Sequence, residues 1–317
     1  MPAEYIEGMS LPTRREILRL GGAGGLLALG ACAGAPAGSR DGFVDAHVHV
    51  WTPDVGRYPL APGFTREQMK PPSFTPEELL AHARPAGVGR IVLIQMSTYR
   101  FDNAYMLDTI RRFPGVFAGV AIVDETAPEP ADRMRGLARE GVRGFRIHPG
   151  SRPVEEWIGS TGMEAMWRAA AGAGLAVCPL VNPAALPALD RMCARHPETP
   201  VVIDHFARIG VDGTFREADL DALCRLARFR RTHVKVSAFY ALGRKARPYL
   251  DLAPMIRRVL DAYGPERLMW GSDAPFQVQA GHTYEASVEL IRDRLDFLSA
   301  GDRRWLLGGA AERVFFA

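Results

Sequence analysis

The chain has 317 residues, 47% of them hydrophobic and 24% charged, with 39 Lys+Arg against 36 Asp+Glu. That apolar fraction supports a real core and excludes wholesale disorder. A formal charge of +3 without a Lys/Arg-rich run argues against nucleic acid as a partner, and four cysteines without a CxxC pair are too few for a disulfide-built fold.

The first segment reads as an address. Thr13-Arg14-Arg15-Glu16-Ile17-Leu18 precedes a short, glycine-rich apolar stretch over residues 20–29. A basic start, a modest apolar stretch and small residues after it describe an export signal, and the arginine pair points to the twin-arginine type. Leu29-Gly30-Ala31-Cys32 resembles a lipoprotein processing box, in which Cys32 becomes the lipidated first residue. The expectation is a signal over residues 1–31, a small-residue tether over 32–42, and one domain over 43–317. The product would be a bacterial protein exported by the twin-arginine route, either periplasmic or a lipoprotein anchored to the membrane through Cys32. Residues 1–31 contain three Arg and three Glu, so the rest keeps the charge of +3.

From Phe43 onward, short apolar runs alternate with longer amphipathic stretches, the pattern of repeated βα units. The runs cover residues 44–50, 90–97, 117–124, 144–148, 176–181, 201–205, 233–238 and 268–272. Thr75-Pro76-Glu77-Glu78 has the N-cap, N1 proline and N3 glutamate of a helix start. Asn182-Pro183 and Arg247-Pro248 read as further starts, and Pro114-Gly115 as a stop. Eight strands, each followed by a helix, predict a single-domain α/β fold of the (β/α)8 TIM-barrel type. The Gly-rich turn that an open dinucleotide-binding sheet would carry after its first strand is missing.

Alternation along a strand makes this specific. Val44, Ala46 and Val48 are expected to face the helices, with Asp45, His47 and His49 facing the barrel interior. On the fourth strand Phe145 and Ile147 oppose Arg146 and His148. On the seventh, Val234 and Val236 oppose Lys235 and Ser237.

Asp45-Ala46-His47-Val48-His49 is the most informative motif. A spacing of two along a strand puts the imidazoles roughly 7 Å apart on one face, within reach of one cation; the alternative is a pair of hydrogen-bonded rim histidines. His205 ends the sixth run, Asp273 follows the eighth and His148 ends the fourth. Four of the eight histidines therefore fall at strand C-termini, the rim where barrel enzymes do chemistry. His82, His196, His233 and His282 read as structural or surface residues.

Four stretches carry a family resemblance. They are Val44-Asp45-Ala46-His47-Val48-His49-Val50-Trp51, Ile203-Asp204-His205-Phe206-Ala207-Arg208, the eighth-strand run Arg267-Leu268-Met269-Trp270-Gly271-Ser272-Asp273-Ala274-Pro275, and Leu307-Gly308-Gly309-Ala310-Ala311-Glu312-Arg313-Val314-Phe315. From Phe43 to Phe316 the chain resembles the amidohydrolase superfamily, in its amidohydrolase-2 branch, nearest the sugar-lactonase and pyrone-dicarboxylate-lactonase group.

The resemblance implies His47 and His49 as metal ligands, with Asp273 as ligand and proton carrier and His205 as a fourth ligand or a catalytic group. It implies one divalent ion, zinc before manganese, although some lactonases of the branch use no metal. The chain departs from many amidohydrolases in two places. The fifth run ends at Asn182 without a histidine, and the fourth carries Arg146 and His148 in place of a bridging lysine, so a binuclear centre is not expected.

The expected reaction is hydrolysis of a lactone or ester in a small, carboxylate- or hydroxyl-bearing molecule by activated water. Asp273 accepts the water proton and passes it to the leaving oxygen. Arg146, His148, Arg208, Lys235, Tyr58, Tyr99 and Tyr240 are the candidate substrate contacts. The alternatives are a metal-dependent decarboxylase, a metal-free lactonase using His205 and Asp273, a phosphoesterase, and an exported binding protein without turnover.

Overall fold

The computed structural model describes residues 42–317. The expected export segment, Cys32 and all of the tether but Gly42 lie outside the described residues. Eight parallel strands run in chain order: β1 (Phe43–Val48), β2 (Val88–Ile94), β3 (Phe117–Ala121), β4 (Val142–Ile147), β5 (Ala176–Pro179), β6 (Val201–Ile203), β7 (Thr232–Ser237) and β8 (Leu268–Gly271). β8 returns to β1 through a parallel bridge between Val48 and Ala274. Two backbone bonds flank it, Asp273 N–H to His47 O and His49 N–H to Ala274 O, each 2.8 Å. This is the expected (β/α)8 barrel, and its closing seam lies at the candidate ligands. Among the described residues no helix is long and apolar enough to cross a membrane.

Local signals act as their chemistry requires. Thr75 caps the helix Pro76–Ala83, with Glu78 completing the capping box. The helix Ala104–Arg112 ends just before Pro114, and Gly115 takes a positive φ that favours glycine. Arg247-Pro248 is not a helix start; the chain first turns at Leu250–Leu252 before the helix Ala253–Tyr263.

Inside and outside differ in chemistry. Ile91, Leu93, Phe145, Ile147, Val234, Val236 and Trp270 pack outward in the large core shared with the helices. The lower interior is a separate apolar cluster that includes Val44, Ala46, Val92, Ile94, Val120, Cys178, Val202 and Met269. Ala310, Ala311 and Phe315 of the helix Ala310–Phe315 close it.

The alternation expected for β4 and β7 is present; that for β1 is not. Val44 and Ala46 belong to the interior cluster, while Asp45 turns to the helix side and accepts a 2.7 Å bond from Tyr284 Oη. An irregularity between Asp45 and Val48 resets the register against β2. It lets His47 face inward beside Ala46, as a bulge does.

Candidate active site

Three strand ends converge on Asp273. His49 Nε2 is 3.2 Å and His47 Nε2 3.5 Å from Oδ1. Tyr240 Oη donates to Oδ2 at 2.7 Å, and His205 Nε2 faces the same oxygen at 3.8 Å. Burial alone would raise the pKa of Asp273, but the imidazoles of His205, His49 and His47 outweigh it and hold the carboxyl below its ordinary range. Asp273 is therefore an ionised, buried base. Tyr240 is pushed well above its usual value, by burial first and then by Asp273, and stays a protonated donor.

Hydrogen-bond partners orient both imidazoles. His49 Nδ1 lies 2.8 Å from the carbonyl of Ile94, which can only accept, so Nδ1 carries a proton and Nε2 faces Asp273. His47 Nε2 lies 2.8 Å from Arg146 Nη2, and its Nδ1 lies between Asp204 Oδ1 at 3.3 Å and Lys235 Nζ at 3.2 Å. Burial and the nearby Lys235 keep His47 neutral, well below its usual pKa. His205 is lowered to about 4, chiefly by burial, and is held by Ser237 Oγ at 2.8 Å from Nδ1.

Beneath these groups runs a buried charge chain. Asp204 takes Lys235 Nζ at 3.0 Å on Oδ1 and Arg146 Nη2 at 3.0 Å on Oδ2, and Lys235 also lies 3.2 Å from His47 Nδ1. Both cations face Asp204, and all three groups are buried. Burial would raise Asp204, but Lys235, Arg146 and His47 reverse that and set it well below its usual value.

The backbone is shaped to present these side chains. His205, Phe206, Ala207 and Arg208 all have φ between 51 and 60°, and Asp273 has φ 62°. Four consecutive left-handed residues are costly for L-amino acids. The burial of Phe206 and Ala207 in the core holds them there, and the segment swings His205 over the barrel axis. Gly271 is required at its position, because a Cβ there would lie 2.7 Å from His47 Cβ.

Above the site is a cavity of about 190 Å³ lined by His49, His205, Asp273 and Tyr240, with Trp51, Met69, Lys70 and Phe276 among its walls. The loop after β1, over residues 51–73, supplies several of them. Of the expected substrate contacts, Arg146, His148, Arg208 and Tyr240 line this cavity. Among the described residues, Arg208 has no carboxylate within 4 Å.

The other three lie elsewhere. Lys235 is fully buried beneath His47, bound to Asp204 rather than exposed at the rim. Tyr58 donates to Asp108 in a separate surface depression. Tyr99 is buried, with its hydroxyl accepting from Thr52 N–H. Position after a strand gave these tyrosines loop proximity, but their rings turn into neighbouring packing. At β5 it is Leu180, not Asn182, that reaches the cavity.

Ser237, expected on the inward face of the seventh strand, and Asp204, quoted in the sixth-strand stretch, are site residues to which the sequence reading assigns no role. Their signal was the parity that selected Arg146 and Lys235, since Asp204 follows Val202 on the inward face of β6.

His47, His49 and Asp273 offer three donor atoms within 4.8 Å of one another, a group that could hold a metal ion. The two edges meeting at Asp273 Oδ1, 3.2 and 3.5 Å, match a tetrahedral set with bonds of about 2.0–2.2 Å. The Ile94 carbonyl on His49 is the kind of outer contact that orients a ligand. The set fits one divalent ion, provided Arg146 releases His47 Nε2.

Comparison with known proteins identifies the family. An L-fucono-1,5-lactonase of Burkholderia ambifaria is 33% identical over 278 residues, covering 84% of this chain and 93% of that protein. A 2-pyrone-4,6-dicarboxylate hydrolase of Comamonas testosteroni is 29% identical, covering 74% and 77%. A Burkholderia multivorans amidohydrolase, solved with bound zinc, shares the fold with a TM-score of 0.70 at 24% identity, covering 86% of this chain and 99% of that one. The family model described as Amidohydrolase matches residues 44–317. The chain is a hydrolase and belongs to the amidohydrolase family, Amidohydro_2.

Proposed function

We propose that the protein hydrolyses the ester bond of a small lactone, with Asp273 as general base. The observation that carries this reading is the ionised, buried carboxylate of Asp273, ringed by three imidazoles and Tyr240 on the cavity floor. The lactone hydrolases among the relatives support the substrate class.

A water bound beside Oδ1 gives its proton to Asp273 as its oxygen attacks the lactone carbonyl. Arg146, whose Nη2 lies 2.8 Å from His47 Nε2, is the cation that favours the negative charge developing on the carbonyl oxygen. Tyr240 holds Oδ2 so that Oδ1 remains free for the water. The ring C–O bond then breaks, and Asp273 returns the proton to the leaving oxygen. A hydroxyl and a new carboxylic acid result; the acid releases its proton to solvent, and Arg208 receives the carboxylate at the cavity wall. A divalent ion on His47, His49 and Asp273, with zinc favoured by the nitrogen-rich set, would polarise the carbonyl and lower the pKa of water.

The test is acid release from a panel of sugar and pyrone lactones. Asp273→Asn keeps shape and is expected to lower kcat by about 10²–10⁴-fold with little change in KM. Metal content of the purified protein, with and without His49→Ala, separates the metal-assisted from the metal-free route. Carbon dioxide release without lactone opening would overturn the reading in favour of a decarboxylase.

A further inference from the structure

The cavity over Asp273 is small for a ligand site, which typically spans about 300–1,000 Å³. Beside it, over the ends of β3 and β4, lies a groove of about 570 Å³. The two share Phe64, Ser97, Arg146 and His148 as walls, so they form one continuous depression. The reaction proposed above uses only the inner part.

The outer groove combines aromatic surface with both donors and acceptors. Phe101 is 42% exposed there, with Phe64 across the junction. Arg100 is exposed and, among the described residues, has no carboxylate within 4 Å. Asp124 accepts from Thr126 N–H and Oγ1 on Oδ1, and Oδ2 has no partner among the described residues. Glu125 is paired with Arg152.

We infer that this groove holds a glycosyl extension: the substrate is a sugar lactone that carries a further sugar unit beyond the reacting ring. A sugar ring offers an apolar C–H face to Phe101 and a rim of hydroxyls that both donate to Asp124 and accept from Arg100. The groove carries both signs, Asp124 and the Arg152-paired Glu125 against Arg100, Arg146 and Arg152, so a purely anionic extension leaves Asp124 Oδ2 without a donor. A hydrocarbon extension would strip water from Arg100 and Asp124 without replacing its hydrogen bonds. A neutral polyhydroxylated group satisfies both sides. The inference rests on the lactonase reading of the inner cavity; water adds across the ring ester bond and the glycosidic bond stays intact.

The test uses lactones that share one reacting ring: glucono-1,5-lactone against cellobiono- and lactobiono-1,5-lactone, followed by acid release. Expected is a kcat/KM about tenfold or more higher for the disaccharide lactones. Phe101→Ala and Arg100→Ala should remove that advantage and leave gluconolactone unchanged. Equal rates on all three lactones, or equal loss on all three in the variants, would overturn the inference. Calorimetric titration with cellobionate and gluconate adds a readout independent of turnover. Tighter binding of cellobionate that Phe101→Ala abolishes supports the groove, and equal binding counts against it. Loss of lactone turnover with that binding difference intact would sink the lactonase reading alone.

Discussion

Asp273 keeps its charge where burial alone would remove it, and Tyr240 is part of the reason. The phenol donates to the ionised carboxylate at 2.7 Å, which holds its pKa down. In the wild type, His205 is neutral above about 4 and Asp273 is ionised. Activity is therefore expected to rise with pH through about 4 and to stay level above it, once spontaneous lactone opening is subtracted. Tyr240→Phe removes the donor to Oδ2, and kcat/KM is expected to fall by about tenfold at neutral pH. An unchanged kcat/KM would show that Tyr240 only packs. At Gly271 the constraint is steric: the Cβ of Gly271→Ala must displace His47 or β8. We expect about 1–3 kcal/mol of destabilisation and loss of most activity, read by thermal melting and turnover on the same sample.

At the scale of elements, β4, β6 and β7 each send one charged side chain inward, and Asp204 lies between Arg146 and Lys235. Removing the shared carboxylate leaves two buried cations unpaired. Asp204→Asn should cost about 3–5 kcal/mol, and combining it with Lys235→Met should recover part of the loss in a denaturant titration. A double variant less stable than Asp204→Asn would contradict this pairing. The pH dependence has a definite sign. The folded pKa of Asp204 is depressed, so its contribution is fully present above the unfolded value of about 3.9 and is lost as pH falls through the folded value. The β1 irregularity belongs to the same scale: with strict alternation His47 would follow Asp45 to the helix side, away from Arg146.

Across the whole molecule the barrel is finished from its ends. The helix Ala310–Phe315 closes the lower interior, and Phe315 lies under Lys235, whose Nζ is 5.7 Å from the ring centroid. Phe315→Ala opens a cavity beneath a buried ion pair and is expected to cost about 3–5 kcal/mol, measured as a fall in melting temperature. At the other end the loop after β1, tied by the bridge between Trp51 and Phe74, supplies Phe64, Met69 and Lys70 to the cavity wall. Those side chains decide what shape of lactone is admitted.

Strand number, strand order and the rim position of His47, His49, His205 and Asp273 were legible in the sequence, because each rests on local alternation and on where apolar runs stop. An export segment over residues 1–31 is an expectation from the sequence alone. Other features came only from the tertiary structure. The β1 irregularity, the pairing of Asp204 with Arg146 and Lys235, the displacement of Tyr58 and Tyr99 from the site and the outer groove all depend on contacts between residues far apart in the chain. Local periodicity states which face a side chain takes. Which group meets it there is set by barrel closure and by the electrostatics of burying charge.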